Sequence, residues 1–246
     1  MSMSRRGLIL TIGAVLALAL PAHAQQPDNN ATAPTIACPP TANPNIECRT
    51  YQVPPIKRSA SSEPRVTYFF SYSCKPCETV GAFLEGWSAR NKVFVFRVHV
   101  AWDNKAVKDA AHAYYAFKRL GVTETLGPLL SSAIHAKQYK FGGADELAAF
   151  AQANGVRGDL MKRAYLSPRT REQIRMSQVA AGKFKLDRVP FIAVNDRYAI
   201  TLTSLDAQTL SDAEALMNTM IAQTQQPGAP REDRTDAGRS GKAEGR

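Results

Sequence analysis

Two cysteines separated by two residues, Cys74-Lys75-Pro76-Cys77, stand between a strand pattern and a helix pattern, and this junction constrains the 246-residue chain most. The run Arg65-Val66-Thr67-Tyr68-Phe69-Phe70-Ser71-Tyr72 is aromatic and β-branched, which predicts a buried strand. After Cys77, residues Val80, Phe83, Leu84 and Trp87 fall on one helical face. The cysteine pair therefore sits at a helix N-terminus. Unpaired backbone N–H groups and the helix dipole there favour a thiolate, and a lowered thiol pKa makes Cys74 a nucleophile at neutral pH. The alternative, half of a zinc site, needs two more ligands at compatible spacing. The other cysteines, Cys38 and Cys48, have nine residues between them, and His99, His112 and His135 show no finger-like spacing. Redox chemistry is the expectation, with no metal.

The N-terminus carries Arg5 and Arg6, an apolar run from Leu8 to Leu20, and then Pro21-Ala22-His23-Ala24. This is the pattern of a secretory signal peptide (residues 1–24) cut after Ala24, and the apolar run is too short to span a bilayer. The paired arginines are also compatible with twin-arginine export. Export places the chain in an oxidising compartment, where disulfides persist. Without Arg5 and Arg6 the formal net charge falls from +10 to +8. The basic residues are scattered and accompany no nucleic-acid motif, so they read as a solvated basic surface.

Residues 25–63 are rich in Pro, Asn, Thr and Ser and form an extended arm rather than a domain. Cys38 and Cys48 lie within it. Their expected role is a local structural disulfide; a second electron-relay pair is the alternative, although neither thiol has an activating neighbour. Residues 225–246 are Gly, Pro and charge, and read as a disordered tail.

Between these ends, Lys92 to Val100 reads as a second strand covered on both faces, with His99 as a packing residue rather than a base. Helical patterns follow over 106–120, closed by Gly121, then over 125–140, entered near Pro128, then over 145–153 and 159–166. Ser167-Pro168 opens another helix, reaching about Phe184. A hairpin over 190–200 and a closing helix from about Ser204 or Asp206 to Ile221 complete the body. The order is strand, CxxC helix, strand, helical block, hairpin, helix, which is an α/β layer with an all-helical insertion.

Three features together give the chain a resemblance to a known family: Phe69-Phe70-Ser71-Tyr72-Ser73-Cys74-Lys75-Pro76-Cys77, the helical block, and Val189-Pro190-Phe191-Ile192-Ala193-Val194-Asn195. The chain resembles the DsbA family of exported thiol–disulfide oxidoreductases over roughly residues 53–223. The resemblance implies an α/β, thioredoxin-like fold with an inserted all-helical domain, the former over 64–103 and 185–224 and the insertion over 104–184. It implies that Cys74 is the exposed nucleophile, Cys77 the buried resolving cysteine, and Pro190 a cis-proline facing them, with Val189 as a substrate-pairing residue. A redox-active Cys74–Cys77 disulfide would replace any cofactor. The implied partners are exported cysteine-containing proteins and a membrane quinone-linked reoxidant, with the protein acting as a periplasmic monomer. The implied activity is dithiol oxidation; a reductase or isomerase, and a chaperone for exported clients, are its rivals. Two departures stand out. Lys75-Pro76 replaces the usual Pro-His, so Lys75 offers charge without an imidazole, and Tyr68 stands where relatives often carry a buried acid.

Overall fold

The computed structural model describes residues 37–51 and 63–225. The expected signal peptide, the rest of the arm and the expected C-terminal tail lie outside the described residues.

The sheet is built on β2 (Val66–Phe70), whose five residues are all buried. Alternation explains why a strand so apolar is stable. Tyr68 and Phe70 point into the larger hydrophobic cluster, whereas Phe69 points into a second one with Val100, Phe184, Phe191, Ala193 and Ala199. Both faces are therefore covered, and no polar face is needed. Strand β3 (Val95–His99) runs parallel to β2, with Val66 opposite Val95 and Phe70 opposite His99. Strand β4 (Phe191–Val194) is antiparallel to β2, and β5 (Tyr198–Leu202) is antiparallel to β4.

The fifth strand comes from an unexpected place. β1 (Ile46–Thr50) pairs antiparallel with β5 and puts Cys48 opposite Ile200, giving the order β1-β5-β4-β2-β3. Part of what reads as a Pro-rich arm is thus an edge strand. Only Ile46 of its five residues is buried, so it carries almost no apolar signal.

The connection from β2 to β3 is α1 (Lys75–Asn91), which buries Cys77, Val80, Gly81, Leu84 and Trp87. Five helices follow β3: α2 (Lys105–Leu120), α3 (Thr123–His135), α4 (Ala144–Ala153), α5 (Gly158–Leu166) and α6 (Pro168–Lys183). Local chemistry sets several of their ends. Asn104 caps α2 by accepting from Ala106 N–H and Val107 N–H, and Gly121 closes it at φ 71°, where a Cβ would be disfavoured. Ser167 caps α6 by accepting from Thr170 N–H, with Pro168 in its first turn. Helix α3 departs from expectation: Pro128 lies inside it rather than at its start, and the helix stops at His135 rather than Lys140. A proline in its second turn forfeits only one backbone bond, the one to Glu124 O, while Leu126 and Leu130 are fully buried. After β4 and β5, α7 (Ala207–Gln225) packs back on the sheet. No described helix is long and apolar enough to cross a membrane.

Candidate active site

Strand β2 delivers the chain to a tight turn from which α1 starts. Cys74 N–H donates to Ser71 O at 3.0 Å, and Cys77 N–H donates to Cys74 O at 3.0 Å. Cys74 occupies the N-cap position in extended geometry, and no side-chain cap is present there. Pro76 fits the first turn because the N–H it lacks would be unpaired in any residue. The sulfur of Cys74 thus sits where a helix N-terminus presents its positive end. The structure joins Cys74 to Cys77 as a disulfide, with Cα atoms 5.3 Å apart. Exposure separates the two sulfurs: Cys74 is half-buried, whereas Cys77 is 4% exposed.

The antiparallel register that sets Phe191 opposite Phe69 closes a sequence gap of 113 residues between Cys77 and Pro190. It brings the loop before β4 over the disulfide. The Val189–Pro190 peptide bond is cis, and Val189 O lies 3.6 Å from Cys74 Sγ. Neither atom carries a proton in the disulfide state, so this is a contact rather than a hydrogen bond. All six residues expected at the redox site, Cys74, Lys75, Pro76, Cys77, Val189 and Pro190, are placed in this one region.

His99 supports the turn from below. It is wholly buried; its Nε2 accepts from Tyr72 N–H at 2.9 Å, and its Nδ1 faces Val100 O at 2.7 Å. Those contacts assign the proton to Nδ1. Burial lowers its pKa to about 4, against a smaller opposite effect of the Val100 bond. His99 is therefore a neutral strut between β3 and the CxxC turn, as its place within a strand predicts.

Two groups of contacts leave at most a partial trace in the sequence. Tyr68, fully buried in β2, donates its hydroxyl to Cys77 O at 2.7 Å. Burial raises its phenol pKa, and the nearby Arg97 guanidinium only partly opposes that. The position where relatives often carry an acid thus presents an uncharged donor to the first turn of α1. The second is Glu78, whose Oε2 accepts from Lys75 Nζ and whose Oε1 accepts from Ser131 Oγ at 2.8 Å. His135 Nε2 lies 3.7 Å from the same Oε1. Partial burial pushes the Glu78 carboxyl up, but its bonds to Lys75 and Ser131 and the charges of Lys75 and His135 outweigh this and hold it below the usual range. Lys75 is therefore paired rather than free beside Cys74. The i,i+3 spacing of Lys75 and Glu78 is a legible signal for that pair; nothing local points to Ser131.

Cys38 and Cys48 form the second disulfide, with Cα atoms 6.1 Å apart. It ties the segment before β1 to that edge strand, and neither cysteine occupies a helix N-cap. Among the described residues no cluster of three or more His, Cys, Asp or Glu is placed to hold a metal ion.

No family model matches the chain. Among curated proteins, it is 26% identical over 135 residues to the thiol:disulfide interchange protein DsbA of Burkholderia cepacia, a match covering 54% of this chain and 63% of that protein. The chain thus spans less than two thirds of that relative. It is also 26% identical over 160 residues to the DsbA of Pectobacterium carotovorum, covering 63% of this chain and 77% of that one. Among solved structures, the oxidoreductase DsbA of Xylella fastidiosa superposes with a TM-score of 0.58 at 27% identity, covering 66% of this chain and 88% of that one. Pseudomonas aeruginosa DsbA gives a TM-score of 0.61 at 19% identity over 72% and 91% of the two chains, a likeness of fold. The match in sequence and the match in fold converge: the chain is similar to DsbA thiol:disulfide interchange proteins over part of their length, and it has a thioredoxin-like fold with a helical insertion.

Proposed function

We propose that the protein is a periplasmic dithiol oxidase that introduces disulfides into exported proteins through Cys74–Cys77. A client thiolate attacks Cys74 Sγ, the Cys74–Cys77 bond breaks, and Cys77 leaves as the thiolate. A mixed disulfide between client and Cys74 results. The client's second thiolate then attacks the client sulfur of that bond, and Cys74 leaves. Two electrons pass from the client dithiol to the protein, which ends as a dithiol. The observation that carries this reading is the asymmetry of the pair. The half-buried Cys74 occupies the N-cap position of α1, where its thiolate is a stabilised leaving group, while Cys77 is shielded from external thiols.

Val189 fits a substrate-pairing role, since its carbonyl borders Cys74 on the side from which an extended client would approach. The helices over 104–184 then act as an inserted domain that frames this approach. Reoxidation falls to a membrane quinone-linked partner, the protein working as a monomer cut after Ala24. Lys75-Pro76 supplies no imidazole to the Cys74 thiolate, which argues for a weaker oxidant than relatives carrying histidine at that place.

The test mixes the oxidised protein with a reduced two-cysteine peptide and follows peptide disulfide formation by mass. An oxidase converts the peptide stoichiometrically, and Cys74→Ser does not. A reductase would leave the peptide reduced and instead open a peptide disulfide when supplied in its dithiol form. A chaperone would keep its effect on client folding after Cys74→Ser.

A further inference from the structure

Lys75 belongs to the active-site dipeptide, and its expected contribution is a positive charge beside Cys74. The structure directs that charge elsewhere. Lys75 Nζ donates to Glu78 Oε2, one turn along α1. Such an exposed i,i+3 pair alone is weakly held, because both side chains remain solvated and free to rotate. Here the carboxylate is gripped from its other oxygen. Oε1 accepts from Ser131 Oγ at 2.8 Å and lies 3.7 Å from His135 Nε2, and both of those residues are on α3 of the helical block. Ser131 is itself buried and divides its single hydrogen between Glu78 Oε1 and Tyr72 O, the latter at 3.1 Å. Glu78 thus has one oxygen for the helical block and one for Lys75.

We propose that Glu78 is a positioning residue that sets the charge felt at Cys74 by holding Lys75, with Ser131 and His135 of α3 as its anchor. With the clamp intact, Cys74 faces a neutral Lys75–Glu78 pair, and the helix N-terminus alone stabilises its thiolate. With the clamp released, the Lys75 stem is long enough to carry its ammonium toward Cys74 Sγ. The helical block thereby restrains the oxidising strength of a disulfide it does not carry. The low carboxyl pKa of Glu78 agrees with a carboxylate gripped on both oxygens. This inference rests on Cys74 being the attacked sulfur, as proposed above.

The test is a double-mutant cycle read on the ultraviolet absorbance of the Cys74 thiolate. Cys77→Ser in every variant leaves one titrating thiol, with the Cys38–Cys48 bridge intact. Glu78→Gln should increase the acid dissociation constant of Cys74 by roughly twofold to fivefold, the range an exposed charge pair can move. In a Lys75→Met background the same change should have a clearly smaller effect, because no ammonium remains to be released. Ser131→Ala should shift Cys74 in the same direction as Glu78→Gln, but less. An equal effect of Glu78→Gln with and without Lys75 would overturn the proposal, since it would mean that the carboxylate acts only by its own charge. No effect in either background would overturn it as well. The oxidase reading has a separate readout in the peptide assay, so failure of the clamp leaves the result of that assay standing, and the reverse holds too.

Discussion

The chain holds two disulfides whose outer cysteines are exposed to a similar degree but whose surroundings are unlike. Cys38, Cys48 and Cys74 are all half-buried. Exposure of the outer cysteine therefore does not by itself set the proposed reactive bridge apart from the proposed structural one. What separates them is the fate of the leaving thiolate. Cys74 occupies the N-cap position of a 17-residue helix and meets its positive end, whereas Cys48 lies within the edge strand β1. An attack that releases Cys48 yields an ordinary thiolate; one that forms and later releases Cys74 yields a stabilised one. The fold also places a backbone carbonyl, Val189 O, against Cys74.

Removing sulfurs from each bridge in turn puts this difference to its hardest test. Cys74→Ser should abolish oxidation of a dithiol peptide, while Cys38→Ser with Cys48→Ser should retain most of it, as measured by initial rates. Loss of the arm bridge should appear instead as lost stability, about 2–3 kcal/mol for so small a loop, in urea unfolding. A rate loss without a stability loss in the double variant would make Cys38 and Cys48 a relay pair.

His99 probes the scaffold beneath the reactive bridge. Its pKa is lowered to about 4 in the fold, so the unfolded chain binds its proton first as the pH drops. Its contribution is fully present above the unfolded value of about 6.5 and is lost as the pH falls toward 4, a span of about 3 kcal/mol. Urea unfolding of the wild type should show this acid weakening, and a His99→Gln variant should start less stable and lose less between those pH values. A parallel pH dependence in the two proteins would remove His99 from the support of the turn.

The dipeptide tests how strongly the reactive bridge is tuned. Restoring an imidazole by Lys75→Pro with Pro76→His should stabilise the Cys74 thiolate by about 1.5–3 kcal/mol. That corresponds to a potential more oxidising by about 30–60 mV, measured against glutathione. The smallest effect is expected from Tyr68→Phe, which deletes the hydroxyl donated to Cys77 O and keeps the ring. Its cost should be about 0.5–1.5 kcal/mol in urea unfolding.

The Cys74–Cys77 turn is easy to read in the sequence and the setting of Cys38–Cys48 harder. Strand β2, the CxxC turn and α1 are contiguous, and a continuous aromatic and β-branched run gives way at the cysteines to a one-faced helical pattern, so the site's frame is local information. The Val189–Pro190 loop comes through resemblance, because pairing of β4 with β2 is a long-range event. Strand β1 escapes because Ile46-Glu47-Cys48-Arg49-Thr50 buries one residue at a sheet edge and sits among prolines. Tyr68 is visible as a departure from relatives, but its bond to Cys77 O depends on how α1 lies over the sheet. The anchoring of Glu78 by Ser131 depends on α3 packing beside α1, across more than fifty residues of chain. Spacing carries no trace of that.

Graded reduction asks most directly whether Cys74–Cys77 is the exchanging disulfide and Cys38–Cys48 the staple. The oxidised protein is equilibrated with a series of reduced and oxidised glutathione mixtures, alkylated, digested and mapped by mass. Cys74 and Cys77 should become alkylated together at mixtures where Cys38 and Cys48 remain joined. All four thiols opening over the same range, or a peptide linking Cys38 to Cys74, would refute that division of roles.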